Sequence, residues 1–267
     1  MGQRAVHYTS ALAVGMIQVC SSVSPDGDIS IRGWSNAIMS SSSPAFSSSL
    51  PSRPARRLVI FDHDGLMVNT EDVVYAVYLR IFGPRNIAFP WDYYVTSLGM
   101  PVTESLAMYL RDLGDPMTMD ELTLARAEQM QTLIETDLRP MPGLTPLLDA
   151  LQARGDLLAV ATSGTRSHID KSLARFGLTD YFDAVVCIDD VARGKPHPDL
   201  ILEVLRRTGA AASDAVMLED APHGVEAAHR AGVFCIAVPT HGVPLEAFAL
   251  APALARDLHA VQRLLTK

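Results

Sequence analysis

Leu58-Val59-Ile60-Phe61-Asp62-His63-Asp64-Gly65 decides the fold. Four apolar residues run without a polar interruption and stop on an aspartate, which reads as a buried strand of a parallel sheet. After Met141-Pro142-Gly143 such runs return at intervals, with helical spacing between them. Helix 145–154 leads to strand 157–162, helix 168–176 to strand 184–188, helix 199–208 to strand 215–218, and helix 225–231 to strand 233–238. Strands alternating with helices imply crossover units and a sheet covered on both faces. The expected fold class is therefore α/β, a Rossmann-like doubly wound parallel sheet. Residues 70–140 lack strand runs and show helical spacing at 70–82, 102–113 and 119–137. They read as an insertion: a helical domain at 69–140 set into a core made of 57–68 and 141–267.

Upstream of Arg57 the composition changes. The first 57 residues hold 14 Ser, five Arg and no Lys, with Asp26 and Asp28 as the only acids. Weak apolar periodicity argues against forcing this stretch into a core. Residues 1–56 read as a disordered extension, as sequence upstream of another start at Met39, or as a transit peptide for a plastid or mitochondrion. A secretory signal built on the apolar stretch 11–19 is a further reading. Without a targeting role the expected location is cytoplasmic.

The whole chain of 267 residues carries a formal net charge of −8, so it has no general attraction for nucleic acid or for an anionic membrane surface. Neither is expected as a partner. No apolar run reaches the length of a membrane span. Three cysteines make no disulfide framework, and no C-x-x-C pair suggests zinc. A monomer or weak homodimer is expected.

In doubly wound sheets ligands bind at the carboxyl ends of the strands. Strand one ends in Asp62 and Asp64, strand two in Thr162-Ser163-Gly164, and the fourth in Glu219-Asp220. The loop after strand three carries Gly194-Lys195-Pro196. Four carboxylates gathered at one rim would repel one another unless a hard dication held them, and all-oxygen ligation with open positions suits Mg²⁺. Ser163 and the backbone N–H groups of Gly164 and Thr165, at a strand-to-helix turn, suit an anion. Lys195 adds a point charge for a phosphate. It is one of only three lysines beside nineteen arginines, which hints that a compact ammonium is wanted there. A carboxylate beside such a site could take a phosphoryl group and pass it to water.

Phe61-Asp62-His63-Asp64-Gly65, Ala161-Thr162-Ser163-Gly164, Gly194-Lys195-Pro196-His197-Pro198-Asp199 and Leu218-Glu219-Asp220-Ala221-Pro222-His223-Gly224 resemble the four motifs of the haloacid dehalogenase superfamily. They are most similar to the branch with an α-helical cap after the first strand. That branch contains β-phosphoglucomutase and the sugar- and pseudouridine-phosphate phosphatases. The resemblance spans roughly 57–245 and implies roles. Asp62 is the expected nucleophile, forming an aspartyl-phosphate. Asp64 is the expected general acid and then base, its backbone carbonyl also meeting Mg²⁺. Ser163, Gly164 and Lys195 hold the phosphate. Asp62, Asp64, Glu219 and Asp220 form the metal site.

Departures from the family pattern are His63 between the aspartates, Asn69 where the first motif usually continues with Asp, and Gly164 where a second Ser is usual. His63 reads as a tolerated side chain, with a substrate or phosphate contact as the other reading. A phosphonatase needs a cap lysine, and 58–170 contains none. A mutase of the β-phosphoglucomutase type carries Arg where this chain has Val102. Hydrolysis of a small phosphomonoester (sugar, polyol or nucleoside phosphate) is therefore favoured over the mutase. A non-catalytic phosphate- or partner-binding protein is the other alternative, and intact Asp62 and Asp64 argue against it. The cap loop 97–103, through Ser97 and Thr103, is expected to select the substrate.

Overall fold

The computed structural model describes residues 57–98 and 100–266. The serine-rich stretch 1–56 lies outside them. Six strands form one parallel sheet: β1 Leu58–Phe61, β2 Leu157–Ala161, β3 Ala184–Val186, β4 Ala215–Glu219, β5 Phe234–Ala237 and β6 Ala253–Leu254. Their order is β3-β2-β1-β4-β5-β6. β1 is central, with Leu58 level with Leu157 on one side and Ala215 on the other. Chain progression reverses direction between β1 and β4, which makes their carboxyl ends the switch point where such sheets open a crevice.

Alternation along the strands sends side chains to two separate cores. Val59, Phe61, Leu158, Val160, Val216 and Leu218 face one side, packed by α5 (Leu144–Ala153), α6 (Arg166–Arg175) and α9 (Leu258–Leu265). Leu58, Ile60, Ala159, Ala161, Ala215 and Met217 face the other, packed by α7 (Asp199–Thr208) and α8 (Pro222–Arg230). Burial on both faces is why these strands read as unbroken apolar runs.

Between β1 and α5 lie four helices: α1 Thr70–Phe82, α2 Trp91–Val95, α3 Val102–Leu113 and α4 Met119–Asp137. They share their own apolar cluster, built on Val73, Val77, Phe82, Leu106, Leu122 and Leu133. Aromatic rings fill its middle, with Tyr78 and Phe89 set edge-on to Tyr109 at 4.9 and 5.0 Å. α4 starts with a capping box, in which Thr118 accepts from the Glu121 N–H and the Glu121 carboxylate accepts from the Thr118 N–H.

The two chain crossings between helices and sheet are tied together. The Asn69 amide donates to the Asp137 carbonyl at 3.4 Å and accepts from the Arg139 N–H at 2.7 Å. An aspartate could make only the second bond, which accounts for Asn at this position.

Helices α1, α3, α4 and α7 fall where periodicity places them. α8 starts at Pro222, three residues earlier than its periodicity predicts, because proline suits the first helical turn. β3 stops at Val186 rather than 188, since the Asp190 carboxylate captures the Cys187 N–H at 2.8 Å and turns the chain. α2, β6 and α9 are absent from the sequence reading; the first two are five and two residues long, too short for a period to show.

Phe61 is fully buried in β1 and packs edge-on to Phe182 at 5.9 Å. Phe61→Ala is expected to lower the urea unfolding free energy by about 3–5 kcal/mol, and a loss below about 1 kcal/mol would contradict the packing described.

Candidate active site

Asp62 extends β1 by one residue, its N–H donating to the Leu218 carbonyl at 3.0 Å. Glu219 ends β4 and Asp220 follows it. Lys195 comes from the loop before α7. Its ammonium donates to Asp62 Oδ1 at 2.5 Å and to Glu219 Oε2 at 2.7 Å. The three side chains are at most 9% exposed. Asp62, Glu219 and Asp220 offer carboxylate oxygens within 4.8 Å of one another. Residues from three separate stretches of sequence thus meet at the switch point.

Two glycines make the gathering possible. A Cβ on Gly65, whose φ is +82°, would sit 2.1 Å from Asp220 Oδ2. A Cβ on Gly224 would sit 2.0 Å from the Glu219 carboxyl carbon. The Thr240 hydroxyl donates to Asp220 Oδ2 at 2.7 Å, and the Ala221 N–H donates to Glu219 Oε1 at 3.2 Å.

Electrostatically the cluster is short of positive charge. Three buried carboxylates face one ammonium. Burial raises the Asp62 carboxyl despite the pull of Lys195, and neighbouring Asp64 adds to the rise. Burial and the charge on Asp62 push Glu219 up to about 7. Asp220 is driven well above the usual carboxylate range by burial, then by Glu219 and Asp62. For Lys195, burial alone would favour the neutral amine, but the two carboxylates outweigh it and raise its pKa. A hard dication beside Asp62 and Asp220 answers this imbalance, and oxygen donors in a buried cradle are what Mg²⁺ takes.

Asp64 faces elsewhere. Its Oδ1 accepts from the Thr70 hydroxyl at 2.8 Å and lies 3.3 Å from His63 Nδ1 and 3.8 Å from His168 Nε2. Burial pushes its carboxyl up, but His168, His63 and Thr70 together hold it well below the ordinary range. The contact with Asp64 raises His168 in turn.

The expected anion loop is placed differently in one respect. The Gly164 N–H donates to Thr162 Oγ1 at 2.9 Å, so that amide is engaged inside the loop rather than aimed at a ligand. Gly164 serves by its size: a Cβ there would lie 2.9 Å from Ile169 Cδ1 and 3.4 Å from Asp64 Oδ2. Ser163 Oγ lies 3.6 Å from where a Gly194 Cβ would be, beside the loop that carries Lys195.

Ser97 does not line the cleft beside Asp220. It is buried, donates to the Tyr94 carbonyl at 2.7 Å, and pairs with the Tyr109 hydroxyl. Its hydroxyl braces the inserted helices. Thr103 sits exposed in the first turn of α3 and is likewise not at the cleft. The cleft, about 320 Å³, is instead lined from these helices by Glu71, Val95, Thr96 and Leu98. Thr70, His168 and Thr240 are site residues that motif reading misses. Thr70 begins α1 directly after the first motif, a position at which its side chain could have been expected to turn back.

A family model described as haloacid dehalogenase-like hydrolase matches residues 59–238. Validoxylamine A 7′-phosphate phosphatase of Streptomyces hygroscopicus subsp. limoneus is 29% identical over 77% of this chain and 96% of its own length. A phosphorylated carbohydrates phosphatase of Thermotoga maritima is 30% identical over 66% of this chain and 81% of its own. The crystal structure of CbbY from Rhodobacter sphaeroides in complex with phosphate superposes with a TM-score of 0.60 at 26% identity, covering 76% of this chain and 95% of that one.

Protons and a dication would compete for the buried carboxylates. Glu219 titrates at about 7, so it is mostly protonated at pH 6 and mostly ionised at pH 8. Mg²⁺ affinity measured by calorimetry is expected to be on the order of tenfold weaker at pH 6 than at pH 8. Equal affinity at both would contradict the crowding described.

Proposed function

We propose, for a chain that belongs to the haloacid dehalogenase-like hydrolases, Mg²⁺-dependent hydrolysis of a small phosphomonoester through a phosphoryl-aspartate at residue 62. The observation that carries the reading is the Lys195 ammonium shared between Asp62 and Glu219, with Asp220 alongside. An aspartate oriented by a buried ammonium is a nucleophile of fixed aim.

Asp62, Asp220 and the Asp64 backbone carbonyl would hold the ion, with Glu219 behind them. When bound it offsets charge on the phosphoryl oxygens. The protein's own groups do the rest. An Asp62 oxygen attacks phosphorus, and the bond to the leaving oxygen breaks. Lys195 and Ser163 hold the phosphoryl oxygens. Asp64 supplies a proton to the leaving alcohol. Water then attacks the acyl phosphate, Asp64 takes its proton, and Asp62 is restored with release of inorganic phosphate. As placed, Asp64 is the ionised form that the second half needs. Departure from His168 and Thr70 removes the contacts that keep it ionised and lets it carry the proton of the first half.

The inserted helices favour hydrolysis over phosphosugar mutation. A mutase must grip a second phosphate. Arg80, Arg85 and Arg111 pair with Asp137, Asp115 and Asp112, while Arg126 bonds the Tyr78 hydroxyl and Arg139 the Leu138 carbonyl. All five thus have partners within their own unit. A sugar, polyol or nucleoside phosphate suits the cleft beside Asp220, where Leu98 gives an apolar wall and Thr96, whose hydroxyl donates to the Tyr93 carbonyl at 2.7 Å, can still accept a hydrogen bond.

With p-nitrophenyl phosphate, turnover should require Mg²⁺ and fall at least ~1,000-fold in Asp62→Asn, the loss expected when a covalent nucleophile is removed. Turnover within tenfold of the parent would end the assignment. With β-glucose 1-phosphate, phosphorus NMR should show inorganic phosphate; accumulation of glucose 6-phosphate would favour the mutase.

A further inference from the structure

His63, Asp64 and His168 form a cluster in which the hydrolytic reading gives a reacting role to Asp64 alone. His63 is fully buried at the end of β1. Its Nε2 lies 2.8 Å from the Ser172 hydroxyl on α6. Its Nδ1 is shielded from solvent and has no hydrogen-bond partner, although Asp64 Oδ1 is 3.3 Å away. If Nε2 donates to Ser172, the neutral ring turns a lone pair on Nδ1 toward a carboxylate oxygen. No hydrogen bond closes the gap between Nδ1 and Oδ1, and a cation between them would take both atoms as ligands. One helical turn before Ser172 on α6, His168 Nε2 lies 3.8 Å from the same oxygen. The two imidazole planes are nearly perpendicular, at 86°.

We propose that His63 Nδ1, Asp64 Oδ1 and His168 Nε2 form a second metal site, for zinc or another borderline first-row dication. The donor set argues for that class: two imidazoles and one carboxylate suit zinc, cobalt or nickel, whereas Mg²⁺ prefers oxygen alone. The spacing argues for it too. Donors about 2.0–2.1 Å from a tetrahedral zinc lie about 3.3 Å apart. The observed separations from Asp64 Oδ1 are 3.3 and 3.8 Å, and all three donor atoms lie within 4.8 Å of one another. Closing the set requires the partly exposed His168 to move inward, whereas the buried His63 is already oriented by Ser172. Entry is open, because His168 lines a cavity of about 500 Å³ between α4 and α6 that also contains Thr165, Ser167 and Gln131. The fourth position would face that cavity.

Occupancy has a consequence that rests on the role given to Asp64 above. A dication on Oδ1 withdraws that carboxylate from proton transfer, so zinc should inhibit hydrolysis even when Mg²⁺ is saturating.

The test uses the full chain and Co²⁺ as the probe, in excess Mg²⁺. One equivalent should bind and give the intense visible absorption of a tetrahedral site with nitrogen ligands. Asp220→Asn should keep the spectrum, which separates this site from the carboxylate cluster. His168→Ala should weaken Co²⁺ binding by more than the about 10–100-fold that loss of a supporting hydrogen bond costs. His63→Gln should do the same. Its folding is checked by thermal melting, and His168→Ala decides alone if His63→Gln fails to fold. Absence of the absorption in the parent chain, or its survival in His168→Ala, would overturn the site. Cobalt binding without zinc inhibition would uphold the site and count instead against the role of Asp64.

Discussion

The Lys195 ammonium, clamped between Asp62 and Glu219, is the interaction on which the rest of the molecule turns. Without it, three carboxylates would share a buried pocket with nothing to oppose them. With it, negative charge still exceeds positive, an excess that a dication would offset. A chain built only for stability would fill such a place with apolar side chains. Glycine at 65 and 224, where any Cβ would collide with Asp220 or Glu219, shows how closely the backbone is drawn in to keep the carboxylates there.

The inserted helices are tied into this centre from two directions. At the crossing, Asn69 joins the two connecting segments, and the next residue, Thr70, reaches Asp64. On the far side the Trp91 indole donates to the His241 carbonyl at 3.0 Å, and a Cβ on Gly242 would lie 3.1 Å from that indole nitrogen. Thr240, two residues before Gly242, holds Asp220. Movement of α2 against this loop would therefore be felt at Asp220, in the carboxylate cluster.

Much of this was legible in the residues. Unbroken apolar runs ending in Asp62, Ser163 and Glu219 announce strands buried on both faces, because a two-sided sheet permits no polar alternation. Lys195 stood out by its rarity in an arginine-rich chain, and it lies at the centre of the cluster. What stayed hidden depends on side-chain direction rather than residue type. Ser97 looks like a free hydroxyl in a loop, yet Tyr94 and Tyr109 occupy it. Gly164 looks like an anion-binding amide, yet Thr162 takes its N–H. His168 sits five residues past Ser163 with no motif to flag it, and only the path of α6 brings it to Asp64. Asn69 reads as a lost charge until the Asp137 carbonyl is seen beside its amide.

Covalent capture of the phosphoryl group by Asp62 is the central claim, and borohydride reduction tests it most directly. The enzyme is quenched during turnover of a phosphomonoester with Mg²⁺, reduced, digested and sequenced by mass spectrometry. An acyl phosphate at residue 62 is converted to homoserine there, and only when substrate and Mg²⁺ are both present. That is the expected result. Steady release of phosphate with residue 62 unaltered, or reduction appearing at another carboxylate, would contradict the account.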